Sequence, residues 1–336
     1  MFVWEMRQAF GLEHLKKSER ADPVPGPGQV LLTMRAASLN YRDTLVVRGG
    51  YGPRYTLPLI PVSDGVGEVT AVGEGVSRLK LGDRACPIFF PSWIGGPATP
   101  EKFALSLGGD IDGMLAQKVC LPAEVVCRVP VHLSDEAAAS LPCAGVTAWS
   151  AVIGQGKVGP MDTVLIQGTG GVALFALQFA KAAGARVIIT SSDDGKLERA
   201  KTLGADETIN YRTDPDWDRR VKALTGGDGC DHIVELAGTL ERSIRAARIG
   251  ATLSLIGVLA GARSEVTLPL VVMRNLRLQG VTVGSRDDFE DMARAIERHH
   301  IQPVIDHTFG FDAVQDAFAH FEAQRHFGKV CIRISE

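Results

Sequence analysis

The chain lacks any block of five or more like charges, and its formal net charge at pH 7 is only −3. Such a balance gives no general attraction to nucleic acid or to an anionic membrane surface. No apolar run approaches the length of a membrane span, and the first residues lack the basic-then-apolar order of a signal peptide. We therefore expect no nucleic-acid partner and no membrane association, and we predict a cytoplasmic location.

The six cysteines lie far apart and include no CxxC pair. In a chain of 336 residues this distribution argues against a disulfide framework and against a four-cysteine zinc module. The simplest interpretation is a protein with reduced thiols. With 45% hydrophobic and 22% charged residues, the chain can form two globular domains that each bury a full core.

The pattern of apolar runs and turn residues differs between the first and the later part of the chain. Up to about residue 125, short β-branched runs alternate with Gly- and Pro-rich turns, which is typical of an irregular antiparallel barrel. From Asp162 onward, apolar strands alternate with amphipathic helices, and this alternation predicts an α/β fold with a doubly wound parallel sheet. After residue 284 two more helices and the strand 329–334 follow, which indicates that the chain end returns to the first domain.

A glycine motif, 168-GTGGVA-173, directly follows an apolar strand and opens an amphipathic helix. Gly168 permits the tight turn after the strand, and Gly170 leaves room for a pyrophosphate to approach the backbone. The amides at the start of the helix, those of Gly171 and Val172, can then hold phosphate oxygens with help from the helix dipole. A turn without a ligand is the alternative, but the βαβ context favours a dinucleotide site.

The end of the next strand bears on the choice between NADPH and NADH. An NAD site would have an acidic residue there, to bind the ribose 2′-hydroxyl. Here the strand ends in Ser191 and Ser192, and Lys196 follows one turn later. Two hydroxyls and an ammonium suit a 2′-phosphate, which a carboxylate would repel. We predict NADPH; NADH is the alternative, because Asp193 or Asp194 could fold back to the ribose, and the serines could instead cap the helix.

Several motifs occur in a characteristic order: 38-SLNYRD-43, 48-RGGYGP-53, 58-PLIPVSDGVGEV-69, 141-LPCAGVTAW-149, 166-IQGTGGVALFALQFAKAAGA-185 and 254-SLIGVLAG-261. Over nearly the whole length, the chain resembles the medium-chain dehydrogenase/reductase superfamily and, within it, the zinc-free quinone oxidoreductase-like branch. The resemblance implies a Rossmann domain at 128–284, inserted into a partly barrel-like, mostly antiparallel GroES-like catalytic domain made of 1–127 and 285–336. It also implies a homodimer or homotetramer, paired through the strand at 276–283.

The resemblance also implies roles around the cofactor. Thr147 is expected near the nicotinamide and the pyrophosphate, while Ile256 and Val258 are expected to offer backbone groups to the carboxamide. Tyr211 resembles the tyrosine that, in NADPH-using relatives, joins the serine and the lysine around the 2′-phosphate. A strand-end tyrosine that packs on the surface is the alternative.

Zinc-dependent members of the superfamily hold their catalytic zinc with a cysteine, a histidine and a second cysteine or an acid. The corresponding residues here are Asn40, Ser63 and Cys143. One soft ligand cannot hold tetrahedral Zn²⁺, which requires three protein ligands and a water. The structural zinc lobe of the family needs four cysteines, and the loop at 88–115 contains none. We therefore expect no metal.

Without a metal, a hydride can still move to a carbonyl-conjugated alkene or a quinone, provided that hydrogen-bond donors stabilise the oxygen that becomes negative. Tyr51 resembles the tyrosine that zinc-free enoyl reductases use beside the substrate carbonyl. Asn40, at a former ligand position, is expected to face the nicotinamide. Both are candidate catalytic residues; the alternatives are a tyrosine that closes a turn and an asparagine that bonds local backbone.

These inferences predict an NADPH-dependent, zinc-free reductase that acts on a small-molecule enone, enal or quinone. Two alternatives remain open at this point. The first is an NAD(P)-dependent alcohol dehydrogenase, which a zinc in the purified protein would favour. The second is a non-catalytic nucleotide-binding protein.

Overall fold

The computed structural model describes residues 1–50, 55–257, 261 and 263–335. The chain forms two compact units, one made of Met1–Val146 with Gly284–Glu336 and the other of Thr147–Val283. The sequence had predicted the first boundary earlier, between residues 127 and 128. The residues after 128 stay with the first unit because the helix Asp135–Ala139 packs against the strands of that unit.

Fifteen strands are formed by the described residues: β1 (Phe2–Met6), β2 (Leu15–Glu19), β3 (Gln29–Ser38), β4 (Asp64–Val72), β5 (Arg84–Pro87), β6 (Lys118–Pro122), β7 (Val126–Arg128), β8 (Thr163–Gln167), β9 (Arg186–Ser191), β10 (Glu207–Asn210), β11 (Cys230–Glu235), β12 (Ala247–Leu255), β13 (Arg277–Gly280), β14 (Ile305–Gly310) and β15 (Lys329–Arg333).

The α-helices of the described residues are α1 (Tyr41–Val47), α2 (Asp135–Ala139), α3 (Val146–Trp149), α4 (Gly171–Ala182), α5 (Asp194–Thr202), α6 (Trp217–Leu224), α7 (Leu240–Ala246), α8 (Leu268–Met273), α9 (Arg286–His299) and α10 (Val314–Glu322). Two π-helical turns, Leu141–Gly145 and Ser150–Gly154, flank α3. None of the helices in the described ranges is both long and apolar enough to cross a membrane.

The first unit contains a seven-stranded sheet with the order β14-β15-β3-β4-β5-β7, in which β6 also pairs with β3. Its pairs are antiparallel except β14 with β15. Side chains alternate across a strand, and along β3 this alternation buries Val30, Leu32 and Met34 completely. The first strand of this unit, β1, pairs with β2 in a separate sheet. The predicted antiparallel character of this unit is confirmed.

The second unit contains a six-stranded parallel sheet with the order β10-β9-β8-β11-β12-β13. If β8 is counted as the first strand, this order is 3-2-1-4-5-6, which is the strand order of doubly wound dinucleotide-binding domains. The predicted α/β fold is therefore confirmed. In such sheets the ligand site lies at the carboxyl ends of the strands, where the order reverses. Here that point lies between β8 and β11.

Three details of the second unit differ from what the sequence predicts. The sequence predicts a helix over 240–248, but α7 ends at Ala246, because Ala247 already pairs with Cys230 in the sheet and β12 begins there. The strand β10 was not predicted, since it has only four residues and only Ile209 among them is buried. The strand predicted at 276–283 is shorter, at Arg277–Gly280.

Candidate functional site

The glycine turn lies between the end of β8 and the start of α4. Gly168 has a φ of +80°, which side chains other than glycine rarely tolerate, and its N–H donates to the Thr190 carbonyl at 2.8 Å. Gly170 is the N-cap of α4. A Cβ added at either glycine would meet no heavy atom within 4 Å. Open space therefore borders this turn at both glycines, as a bound pyrophosphate requires.

The backbone amides at the start of α4 face the same turn. The first N–H groups of a helix have no acceptor within the helix, and the helix dipole makes this end electropositive. In α4 these groups include those of Gly171 and Val172, and the first helical bond is donated by Leu174 to the Gly170 carbonyl at 3.0 Å. The residues of the predicted glycine motif thus form a helix terminus at the carboxyl end of β8, and helix termini of this kind suit an anion.

A buried polar network lies beside the turn, at the ends of the neighbouring strands β8 and β11. The Glu235 carboxylate accepts hydrogen bonds from Gln167 Nε2 at 2.9 Å and from the Ser243 hydroxyl. It also accepts two backbone N–H groups of the loop 236–239, at 2.8 and 3.0 Å. Gln167 Oε1 accepts two further amides of the same loop, at 3.0 and 3.2 Å. The network fixes this loop next to the glycine turn.

Sequence reasoning missed this network. The available signal was a polar residue at the end of each of two adjacent apolar strands, namely Gln167 after 164-VLI-166 and Glu235 after 232-HIV-234. Because the carboxyl ends of parallel strands meet at one edge of the sheet, such residues are expected to lie together near the ligand site.

The carboxylates after β9 are engaged with local partners. Asp193 is the N-cap of α5, and its Oδ1 accepts the Lys196 N–H at 2.9 Å. Asp194 Oδ1 accepts a hydrogen bond from Asn210 Nδ2 at 2.8 Å. Ser191 is buried at the end of β9 and accepts the Asp193 N–H at 3.4 Å. The alternative that Ser191 or Ser192 caps α5 is therefore wrong, because Asp193 is the N-cap of this helix.

The residues predicted to bind a 2′-phosphate lie at the ends of two adjacent strands. Ser191 ends β9, Tyr211 follows β10, and the Tyr211 N–H donates to the Ser191 carbonyl at 3.1 Å. Ser192 and Lys196 are half-buried, in the segment that leads into α5 and in its first turn. The Tyr211 side chain is 44% exposed. The structure thus gathers all four at one end of the sheet, within the second unit.

The residues predicted at the nicotinamide end are only partly described. Thr147 is buried, and its hydroxyl donates to the Thr282 carbonyl at 3.0 Å. The Ile256 N–H donates to the Glu235 carbonyl at 3.0 Å, which leaves the Ile256 carbonyl as the group that could meet a carboxamide. Val258 lies outside the described residues, and so does Tyr51, the predicted donor to a substrate carbonyl.

In the first unit, a buried polar cluster surrounds the predicted residue Asn40. We call it the Lys329 cluster, and it comprises Asn40, Asp43, Ser63, Asp64, Cys143 and Lys329. Lys329 opens β15 and is 2% exposed. Its ammonium donates to Asn40 Oδ1 at 2.5 Å and to the Leu39 carbonyl at 2.6 Å. A buried lysine was not considered in the sequence analysis, although it stands out at the start of the apolar run 330-VCI-332.

Asn40 is held from two sides. As the N-cap of α1, it donates its backbone N–H to Asp43 Oδ2 at 2.8 Å. Its side-chain oxygen accepts from Lys329. The amide nitrogen, Nδ2, helps to lower the pKa of Asp64, which indicates that it lies near that carboxylate. It is nevertheless buried without a hydrogen bond of normal geometry to any residue in the described part of the chain.

The two carboxyl groups of the cluster are fully buried. Burial raises the pKa of Asp43 to about 6, although the guanidinium of Arg42 opposes the shift. Burial also raises the pKa of Asp64, and the charge of Lys329 opposes that shift. Asp64 accepts the Ser63 hydroxyl at 2.7 Å and the Cys143 N–H at 3.0 Å. Lys329 therefore compensates negative charge that would otherwise be costly in this position.

The cluster does not fit a catalytic zinc. Of the three positions at which relatives carry ligands, Asn40 presents its oxygen to an ammonium, and Ser63 donates its hydroxyl proton to Asp64. At the third, Cys143 is the one soft ligand of the set, whereas tetrahedral Zn²⁺ requires three protein ligands. Within the described ranges, no three His, Cys, Asp or Glu side chains are arranged to hold a metal ion.

Comparison with known proteins agrees with this architecture. The family model described as alcohol dehydrogenase GroES-like domain matches residues 26–131, and the one described as zinc-binding dehydrogenase matches residues 171–298. A zinc-type alcohol dehydrogenase-like protein of Schizosaccharomyces pombe is 42% identical in an alignment of 335 positions that covers 96% of each chain.

Solved structures give the same result. An NAD-dependent alcohol dehydrogenase superposes with a TM-score of 0.91 at 34% identity, over 100% of both chains. A crotonyl-CoA carboxylase/reductase in complex with NADP superposes with a TM-score of 0.86 at 25% identity, over 99% of this chain and 94% of the other. The chain belongs to the medium-chain dehydrogenase/reductase superfamily.

Proposed function

We propose that the protein is an oxidoreductase that uses NADPH to reduce a carbonyl-conjugated alkene or a quinone, without a metal. The observation that carries the metal-free part is the distance of 2.5 Å between the Lys329 ammonium and Asn40 Oδ1. A second cation at this oxygen would be repelled strongly in a buried environment, because charges interact more strongly where water is absent. At the first of the three ligand positions, the first unit thus has an amide oxygen that already faces an ammonium.

The second unit supports the nicotinamide cofactor. The open turn at Gly168 and Gly170, with the amides of Gly171 and Val172, suits the pyrophosphate. Of the two solved relatives, one is named for NAD and the other is bound to NADP, so family membership does not select between them. A bound reduced nicotinamide would supply the hydride.

The preference for NADPH rests on the residues after β9. Ser191, Ser192, Lys196 and Tyr211 offer hydroxyls and a cation at the place where an NAD site has an acid. Asp193, the nearest acid, already accepts a hydrogen bond as the cap of α5. Asp193 is therefore less available to a ribose 2′-hydroxyl than an acid without this hydrogen bond would be.

The class of substrate follows from what the chain's own residues can do. A hydride added to the β-carbon of an enone moves negative charge onto the carbonyl oxygen, and neutral hydrogen-bond donors can stabilise that charge. We propose Tyr51 and Asn40 as these donors. A saturated alcohol would instead have to be ionised, and for that relatives use a Lewis acid.

An alcohol dehydrogenase is the second candidate, because several relatives carry that name. Absorbance of NADPH and NADH, followed with a panel of enones, enals and quinones and in reverse with primary and secondary alcohols, separates the two. We expect turnover of conjugated carbonyls with NADPH. Alcohol oxidation that depends on stoichiometric zinc would replace our proposal with the second candidate.

We also propose that the protein forms a homodimer or a homotetramer through β13. This strand is at the edge of the parallel sheet, and all four of its residues are exposed. The adjacent helix α8 presents Leu268, Val272 and Met273 to solvent in the isolated chain. An open sheet edge beside exposed apolar side chains favours pairing with a second copy of the same edge.

A further inference from the structure

We infer that Lys329 is a positioning residue: its ammonium holds the Asn40 amide so that the nitrogen, and not the oxygen, is available to a substrate oxygen. The inference rests on the proposed function, which makes Asn40 a donor to the substrate. The inference adds Lys329 to the residues that contribute to turnover. Lys329 lies far from Asn40 in sequence and would act on the substrate only through Asn40. The inference also assigns a role to a lysine that is buried in contact with Asn40.

The first step is the orientation of the amide. An ammonium has three N–H donors and no acceptor, so the atom of Asn40 that faces Lys329 must be the oxygen. The short distance between Lys329 Nζ and Asn40 Oδ1, 2.5 Å, therefore determines which end of the amide is which. Asp64, near which Nδ2 lies, favours the same orientation, and Lys329 adds a positive charge at the oxygen.

The second step is the state of the amide nitrogen. Asn40 is 8% exposed, and Nδ2 is buried without a well-formed hydrogen bond to any described residue. Buried donors without a partner are rare in native proteins, and each calls for an explanation such as an absent ligand. An oxygen of a bound substrate would complete the hydrogen bonds of this group. The neighbouring Asp64 carboxylate can engage one N–H of this group, and an amide nitrogen has two, so the second N–H remains for the substrate.

The third step is electrostatic. A cation at the amide oxygen draws electron density from the nitrogen and makes its N–H groups stronger donors, since hydrogen bonds in a chain polarise one another. Lys329 is well placed for this because water is excluded around it. The alternative is that Lys329 only neutralises the buried carboxylates Asp43 and Asp64. In that case its effect on turnover would not depend on Asn40.

A double-mutant cycle distinguishes these roles. Lys329→Met keeps the aliphatic stem and removes the ammonium, and Asn40→Leu keeps the volume and removes the amide. We expect Asn40→Leu to lower kcat about 10²-fold and Lys329→Met about 10- to 10²-fold, each with a smaller change in KM. If Lys329 acts through Asn40, the double variant is no slower than Asn40→Leu alone. If the two reductions in kcat multiply in the double variant, the inference is overturned. Lys118→Met, on the surface strand β6, is the matched control and should keep the native kcat.

A second experiment needs neither substrate nor turnover. The chain has only three asparagines, Asn40, Asn210 and Asn275, so ¹⁵N-asparagine labelling gives three side-chain amide signals by NMR. The Asn40 pair is assigned by elimination with Asn210→Ser and Asn275→Ser. We expect its protons to exchange slowly with water in the native protein, and at least about ten times faster in Lys329→Met, where the amide can rotate. Unchanged exchange in that variant contradicts the inference.

Asn40→Asp covers the case in which Lys329→Met does not fold. It keeps an oxygen for the ammonium and replaces the N–H groups by a second oxygen beside Asp64, so we expect NADPH binding by the second unit to persist with kcat lowered about 10²-fold. Native turnover in this variant overturns the inference. A native protein that reduces no conjugated carbonyl at all would refute the proposed function instead, while the NMR experiment would still decide whether Lys329 orients Asn40.

Discussion

The Asp193 carboxylate accepts a hydrogen bond from the backbone N–H of Lys196, with Oδ1 and N 2.9 Å apart. The contact caps α5 and fixes the backbone of the lysine that we propose to bind the 2′-phosphate. It also engages the acid that would be the best candidate for an NAD ribose. This one hydrogen bond thus favours NADPH, by positioning Lys196, and disfavours NADH, by engaging Asp193.

Lys196→Ala should weaken NADPH binding much more than NADH binding, because only NADPH carries the 2′-phosphate. A charge-assisted hydrogen bond contributes about 1.5–3 kcal/mol, so we expect the Kd for NADPH to rise about 10- to 100-fold. Titration of both cofactors, followed by nicotinamide fluorescence, measures this. Lys201→Ala, one turn later in the same helix and paired with Glu198, is the control. NADH binding as tight as that of NADPH by the native protein would contradict the preference.

The purified protein should be active without zinc. The reason is the donor set, in which Asn40 faces an ammonium, Ser63 donates its hydroxyl proton to Asp64, and Cys143 is the one soft ligand. Elemental analysis should find far less than one zinc per chain, and incubation with a chelator should leave turnover unchanged. A zinc-dependent alcohol dehydrogenase treated in parallel should lose its activity. Stoichiometric zinc, lost together with activity, would show that our proposal is wrong.

Tyr51→Phe should lower kcat about 10²- to 10³-fold with a much smaller change in KM, because the lost hydroxyl would act mainly on the charge of the transition state. The substitution keeps the ring, so folding and NADPH binding should survive. Tyr41→Phe, at the exposed start of α1, is the control. If the Tyr51 variant retains near-native turnover, the tyrosine merely closes a turn and the carbonyl must be held by another donor.

The second unit should lose stability in acid through His232. Burial lowers the pKa of this histidine from 6.5 to about 4. The unfolded chain therefore takes up a proton near pH 6.5 that the folded chain refuses until about pH 4. Stability from this group is fully present above pH 6.5 and falls as the pH decreases towards 4, by up to about 3 kcal/mol.

His232→Asn removes this titration, so the loss of unfolding free energy between pH 7 and pH 5 should become smaller. Urea unfolding at both pH values gives the comparison, and the difference between the two pH values matters because the variant also loses the contact with Ser254. His14→Asn, at an exposed position, is the control. An unchanged pH dependence in the His232 variant would show that the acid sensitivity arises elsewhere.

Leu278→Lys should disrupt the homo-oligomer. The substitution puts a charge in the middle of β13, where a second copy of the strand would pair, and charged residues on an edge strand oppose such pairing. Light scattering coupled to size exclusion should shift from dimer or tetramer to monomer. Met161→Lys, also exposed on the second unit, should leave the assembly intact. A native protein that is monomeric at all accessible concentrations would refute the proposal.

The features that the sequence predicted well are those with a local pattern. The strand at 164–167, the glycine turn and the helix after it lie within 20 residues, and apolar periodicity with glycine spacing is enough to recognise them. The alternating burial of β3 is local in the same way.

The Lys329 cluster could not be predicted in this manner. The hydrogen bond from Lys329 to Asn40 joins residues 289 positions apart, and it exists only because β15 pairs with the end of β3. The contact of Gln167 with Glu235 spans 68 positions and depends on the pairing of β8 with β11. Polar contacts that tertiary structure creates leave no periodic signal in the chain. The only sequence hint was a polar residue where an apolar one is expected.

The network of Gln167 and Glu235 has a consequence for the thermodynamics of cofactor binding. Four amides of the loop 236–239 are bonded to these two side chains in the protein alone. A loop that is already ordered loses little conformational entropy when a ligand arrives, so more of the interaction energy appears as affinity. Loosening the loop by Glu235→Ala would make NADPH binding entropically less favourable even though neither side chain need touch the cofactor.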